Sequence, residues 1–292
     1  MAAGLCDEVR RSCARIALSA EWVSIDLEAL AHVEPGPPPA LDPVRHYLEG
    51  SPAEVAAYFL TVDAVNFGSG WFPTLRKRAG WSGYFTIAWA IADRFRAHGP
   101  WTPAQLRAIG TEEIADTLGQ PRDHELMSLY AQALRALGRF LGGREPLDLV
   151  RGAGGSAEAL AAQLASGMAL FADRGFYKRA QIVPADLALA GVAQFRDLHR
   201  LTIFADNLVP HVLRCDGVLR YDERLAAHVD AGLLLPAGRP EREIRACAVR
   251  ACELIAQRAG ATEHELDNWL WSRGQAPEYK STPRHRTRTV YY

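Results

Sequence analysis

The sequence predicts a mainly α-helical globular fold with one small β-hairpin, on three observations. Helix start and stop signals recur along its 292 residues. Apolar residues follow helical spacing, three and four apart, over long segments. Strand signals, by contrast, are few. With 49% hydrophobic residues the chain can build a sizeable core. We expect one domain over residues 1–292, with a possible internal subdomain break near 152–156.

The opening MAAGLCDEVRRSCARIAL mixes acids and arginines within helical periodicity. It has no basic region followed by an apolar run, so it does not read as a secretory signal. No stretch reaches ~18 apolar residues, so no membrane span is expected and the cytoplasm is the expected location. Glu34-Pro35-Gly36-Pro37-Pro38-Pro39 reads as a loop. Ser51-Pro52-Ala53-Glu54 is a capping box with proline at the first helical position. The run that follows, to about Val65, is apolar on most faces and should be buried. Gly70-Trp71-Phe72 and Ser82-Gly83-Tyr84-Phe85 flank a basic, glycine-containing turn and are expected to pair as the hairpin.

Thr102-Pro103-Ala104-Gln105 repeats the capping logic. Leu126, Leu129, Tyr130, Ala133 and Leu137 mark an amphipathic helix that Gly142-Gly143 ends. Gly152-Ala153-Gly154-Gly155-Ser156 is the best linker candidate, either between subdomains or as a loop within one domain. Pro240 with Glu241 and Glu243 opens a helix striped by Ile244, Cys247, Ala248, Ala251 and Ile255, and Gly260 closes it. Thr262 with Glu265 caps the next one, which stops near Gly274. The final Arg288-Thr289-Val290-Tyr291-Tyr292 is extended in character.

Lys plus Arg number 33 against 34 Asp plus Glu, a net charge of -1. That balance argues against binding long DNA or RNA, which leaves a strongly basic footprint. A small anionic ligand needs only a local basic pocket. The five cysteines, Cys6, Cys13, Cys215, Cys247 and Cys252, are odd in number and lack a C-x-x-C pair. They suggest neither a disulfide framework nor a structural zinc site, and Cys247 and Cys252 read as small core residues. His199, His211 and His228 share no metal-ligand spacing. There is no G-x-S-x-G, P-loop or G-x-G-x-x-G string. No metal and no cofactor are expected.

Several strings are too polar and aromatic for plain core: Thr61–Phe67 (TVDAVNF), Tyr177–Gln181 (YKRAQ), Leu201–Asp206 (LTIFAD), Leu266–Trp271 (LDNWLW) and His285–Tyr292 (HRTRTVYY). In this order they resemble the queuosine-salvage family, the queuosine 5'-phosphate N-glycosidases, from about Val9 to Tyr292. The resemblance implies a helical fold related to helix-hairpin-helix DNA glycosylases. It also implies metal-free hydrolysis of queuosine 5'-phosphate to queuine and ribose 5-phosphate, with that nucleotide as the small-molecule partner. The chain departs from eukaryotic relatives at Asn207, where an aromatic is common. It shows no clear glycine hairpin, so the DNA-repair analogy concerns architecture only.

Under that resemblance Asp206 is the catalytic candidate. Breaking a ribose–base bond builds oxocarbenium-like charge on the sugar, which a facing carboxylate can stabilise. The structural alternative is an N-cap, since Asp206 precedes Asn207-Leu208-Val209-Pro210, and the two roles are compatible. Asp267 and Trp271 lie one turn apart on a capped helix, so they share a face. A deazaguanine offers its N1–H and 2-amino donors to one carboxylate, and an indole offers a stacking surface. Asp63, Asn66 and Phe67 could line the base pocket, or simply end a helix beside a turn at Gly68. Lys178 and Lys280 are the phosphate-binding candidates. Phe204, Tyr279 and His285 complete the substrate-binding set, whereas Arg288 reads as a solvated tail residue. Two other functions fit less well: a base-flipping DNA or RNA glycosylase and a non-catalytic binding module for a modified nucleotide.

Overall fold

Helices form where caps and apolar spacing coincide in the computed structural model of the protein, which describes residues 4–292. Helix α1 (Leu5–Leu18) turns Cys6, Val9 and Cys13 inward. After strand β1 (Val23–Ile25) comes α2 (Leu27–Ala31), capped by the Asp26 side chain. Helix α3 (Pro52–Ala64) starts on the complete Ser51/Glu54 capping box and is buried continuously from Val55 to Ala64. A helix apolar all round belongs inside a core, and α3 runs through one. Then follow α4 (Gly83–His98), α5 (Pro103–Ala108) on the Thr102/Gln105 box, and α6 (Thr111–Leu118). Helix α7 (Glu125–Leu141) buries Leu126, Tyr130, Ala133 and Leu137, and ends at Gly142. Three more, α8 (Pro146–Gly152), α9 (Ala157–Gly167) and α10 (Lys178–Leu189), complete this half.

The C-terminal half holds α11 (Val209–Cys215), β2 (Leu219–Tyr221), α12 (Glu223–Asp230), α13 (Arg239–Ala259), α14 (Glu263–Arg273) and α15 (Pro277–Lys280). All the residues of the α13 stripe are buried, and Gly260 closes the helix in the left-handed region at φ 66°. At α14 the cap is partial: the Thr262 hydroxyl bonds the Glu265 carboxylate at 2.5 Å and no backbone N–H.

The expected hairpin over residues 70–85 does not form. Phe72–Thr74 is a short 3-10 turn, and Ser82 caps α4 by accepting from the Phe85 N–H. Past Phe85 the apolar residues Ala88, Ile91, Ala92 and Phe95 are buried at helical spacing, which outweighs a four-residue strand signal. The two segments meet through packing instead. A Cβ on Gly83 would lie 2.4 Å from the Phe72 ring, so glycine permits that approach. The small antiparallel sheet is β1 with β2, from opposite ends of the chain, in the register Val23–Tyr221, Ser24–Arg220 and Ile25–Leu219.

Buried apolar side chains gather into two main clusters. One draws on residues 47–187 and the other on α1, β1, α2 with Val33, Phe176 and residues 203–279. Gly154 and Gly155, at φ 60° and 71°, turn the chain from α8 to α9, and both helices feed the same cluster. The seam between the clusters opens into a cleft. Among the described residues no helix is long and apolar enough to cross a membrane.

Candidate active site

The cleft has a volume of about 340 Å³ and takes walls from both clusters. Its floor is assembled where α3 ends against the start of α10. Tyr177, at φ 50°, is a bulky residue in the left-handed region, and the turn it makes delivers Lys178 and Arg179 into the interior. Arg179 donates to the Ala64 carbonyl at 2.6 Å and lies over the Phe67 ring at 4.6 Å. Lys178 donates to the Asn66 carbonyl at 3.0 Å and to its Oδ1 at 2.8 Å. The Phe67 carbonyl accepts from the Tyr130 hydroxyl at 2.8 Å. These bonds satisfy the carbonyls at the helix end and hold Asn66 and Phe67 against the cleft.

Lys178 is 3% exposed. Burial pushes its pKa down, and the Asp206 carboxylate pulls it back up. Asp63 is fully buried behind this floor and does not line the cleft. Its Oδ1 accepts from Asn66 Nδ2 at 3.4 Å and its Oδ2 has no partner among the described residues. Burial, with the charge of Asp186 added, holds its carboxyl well above the usual carboxylate range. It supports Asn66 from behind.

The opposite wall is the irregular segment 201–207, whose backbone is pinned by side chains from three helices. Thr202 N–H donates to Gln181 of α10 at 2.9 Å, Phe204 N–H to Asp267 of α14 at 2.8 Å, and the Ala205 carbonyl accepts from Arg245 of α13 at 2.9 Å. Asp206 follows, lining the cleft, and its Oδ1 accepts from the Leu208 and Val209 N–H groups at 2.7 and 3.3 Å. Asp206 is not the N-cap, which is Leu208; its carboxylate closes the turn that leads into α11 and still lines the cleft. Two backbone donors fix the carboxylate in place.

Asp267 lies across from Asp206, 4% exposed. Burial first, and the Asp206 charge second, push its pKa up to about 8. Trp271 is one turn further along α14, on the same face, as the spacing predicts. Its ring meets Tyr84 and Phe85 edge-on at 5.5 and 5.4 Å, forming an apolar wall. Phe204 lines the cleft as well. A concave site with shifted carboxyl groups and an aromatic wall has the make-up of a small-molecule site.

Of the sequence candidates, Asn66, Phe67, Lys178, Phe204, Asp206, Asp267 and Trp271 come together here. Tyr279, Lys280 and His285 do not. Tyr279 bonds Asp216 through its hydroxyl at 2.8 Å, and with the exposed Lys280 it borders a separate shallow depression. His285 is 1% exposed, with burial and then Arg245 pushing its pKa down to about 3. The tail packs inward at every other residue there, so its neighbours in sequence face different ways.

Arg284 and Asp186 are among the cleft residues that the sequence candidates did not include. Arg284 lines both the cleft and the outer depression, and makes no hydrogen bond or ion pair among the described residues. Burial lowers its pKa and the nearby Asp206 raises it. Arg284 in turn lowers the pKa of Lys77, after burial, which places a second cation near this end. Nothing in the tail sequence marks Arg284 among its neighbouring bases. Asp186 shares the α10 face of Lys178 and Ile182, so helical spacing could have found it.

Among the described residues no group of three His, Cys, Asp or Glu side chains could hold a metal ion. His211 and His228 instead bond the Tyr279 and Leu234 carbonyls at 2.7 and 3.0 Å. All five cysteines are free.

The chain is 34% identical to a Sphaerobacter thermophilus protein named queuosine 5'-phosphate N-glycosylase/hydrolase, over 95% of each chain. It is 28% identical to a mouse protein of the same name over 85% of each. A cattle protein so named is 39% identical over 40% of each. The family described as queuosine salvage protein matches residues 46–292, which include every cleft-lining residue except Pro39, Ala40, Leu41, Asp42 and Arg45. With a family match over most of its length and a relative aligned almost end to end, the chain belongs to the queuosine salvage protein family.

Proposed function

We propose that the protein hydrolyses the N-glycosidic bond of queuosine 5'-phosphate, releasing queuine and ribose 5-phosphate. The observation that carries this reading is Asp206: a carboxylate held by two backbone N–H groups, open to a cleft whose other walls suit a base. As the C1'–N bond breaks, its electron pair leaves with the base and positive charge develops on the ribose. Asp206 stabilises that charge, and water adds at C1' while the proton it loses is balanced by the one taken up by the departing base nitrogen. Asp267, Asn66, Phe67, Phe204 and Trp271 hold the base, while Lys178 keeps Asn66 and Asp206 in place. The balanced net charge of -1 favours a free nucleotide over a long polymer. The test is incubation with queuosine 5'-phosphate and mass detection of queuine. Binding without release would sink the hydrolase reading.

Asp267 gives this reading a pH signature. A base that presents N1–H and a 2-amino group binds the ionised carboxylate. The empty site holds Asp267 protonated below about pH 8. Binding at lower pH therefore carries the cost of deprotonation, and affinity should rise as pH increases toward 8. Calorimetry with 7-deazaguanine, which lacks a side-chain amine, checks this. A flat profile from pH 6 to 8 would mean that Asp267 does not accept the base's donors.

The 5'-phosphate belongs at Arg284, the unpaired cation beside Asp206. An empty Arg284 competes for the Asp206 charge, and a phosphate relieves that competition, so the phosphate should act on turnover as well as on affinity. Arg284→Ala should lower kcat/KM on queuosine 5'-phosphate by roughly ten- to a hundred-fold, the worth of a charged contact, and lose most of the preference over queuosine. Lys280→Ala is the comparison. An effect at Lys280 with none at Arg284 would move the phosphate to the outer depression.

A further inference from the structure

Asp186 takes no part in breaking the glycosidic bond, yet it faces the cleft from the helix that supplies Lys178. Its carboxylate makes no hydrogen bond or ion pair among the described residues. The neighbouring cations are already engaged. Lys178 donates twice to Asn66, and Arg45 pairs with Asp42 at 2.5 Å while stacking over Phe85. Apolar Ile182 and Leu189 flank Asp186 along the same lining. A carboxylate in such surroundings is costly unless something pairs with it.

Position narrows what that partner is. Arg284 borders the outer depression as well as the cleft, whereas Asp186 lines the cleft only, on the α10 face that carries Lys178 and Ile182. A nucleotide with its phosphate at Arg284 and its ribose at Asp206 points its base away from the mouth, toward Asp186. Queuine differs from a plain deazaguanine by a side chain that begins with an aminomethyl group, protonated at neutral pH. Resting on the function proposed above, we propose that Asp186 pairs with this side-chain ammonium and so selects amine-bearing deazaguanines over neutral ones. The pairing also matches the poise of the group. Burial pushes the Asp186 pKa up to about 7, so it is easily ionised when a cation arrives.

The test compares two nucleotides that differ at one atom type. 7-Aminomethyl-7-deazaguanosine 5'-phosphate carries the ammonium, and 7-methyl-7-deazaguanosine 5'-phosphate does not. Wild type should favour the first in kcat/KM by roughly ten- to a hundred-fold, the scale of a charge-assisted hydrogen bond. In Asp186→Asn this ratio should fall close to one. A wild type that treats both alike overturns the proposal without any variant, which keeps it testable even where Asp186→Asn fails to fold. The same ratio in both proteins also overturns it. Calorimetry with the free bases, 7-aminomethyl- and 7-methyl-7-deazaguanine, reads the same discrimination without chemistry. If wild type releases no queuine, the hydrolase reading fails, and these binding ratios still decide the role of Asp186.

Discussion

Asp206→Asn should lower turnover on queuosine 5'-phosphate by roughly 10²–10³-fold, with folding and substrate affinity near those of wild type. The amide oxygen can still accept from the Leu208 and Val209 N–H groups, so the turn into α11 stays closed. What is lost is the negative charge facing the ribose, needed only as the oxocarbenium character develops. The loss should therefore appear in kcat and leave KM nearly unchanged. A purely structural Asp206 makes the opposite forecast. Asp206→Asn would then be almost silent, and only Asp206→Ala would cost about 1 kcal/mol through the lost turn hydrogen bonds. Steady-state release of queuine, with thermal unfolding alongside, separates the two. Near-wild-type turnover in Asp206→Asn ends the catalytic assignment.

Arg245→Met should be the most damaging substitution outside the cleft. The Arg245 side chain is 3% exposed; it pairs with Asp173, approaches Glu241 at 3.4 Å and donates to the Ala205 carbonyl at 2.9 Å. Its guanidinium also stacks on Phe176 at 3.9 Å. Methionine keeps much of the volume but leaves two carboxylates and a carbonyl buried without their donor. Breaking one side of a buried pair costs about 3–5 kcal/mol, and a fall of roughly 5–8 °C in Tm follows from typical unfolding entropies for a chain of this length. Activity should fall further than stability accounts for, because the Ala205 peptide immediately precedes Asp206. Adding Asp173→Asn should restore part of the stability and little of the activity. A Tm within a degree or two of wild type would show that Arg245 does not hold this wall.

Much of the helical framework is legible because capping is local chemistry. The Ser51/Glu54 and Thr102/Gln105 boxes are complete within four residues, and each forms as read. The mistaken hairpin shows the limit of that method. A short aromatic run beside glycine fits a strand or a helix start, and only the buried residues beyond Phe85 decide between them. The paired strands were illegible for another reason: each has three residues, and the partners lie at opposite ends of the chain.

For the site, helical period is the dividing line. The sequence by itself determined that Asp267 and Trp271 share a face, that Asp206 lies just ahead of a helix, and that the strings around Asn66, Lys178 and Phe204 carry polar chemistry beside aromatics. Tertiary structure alone decided which tail residue reaches the cleft. Residues 281–287 follow no helix, so Arg284 faces Asp206 while His285 turns into the core and Lys280 stays outside. It also placed Asp63 behind the floor, because α3 is apolar on every side and its period does not single out one face. A regular helix carries its side-chain directions in its spacing. An irregular segment acquires them only from what it packs against.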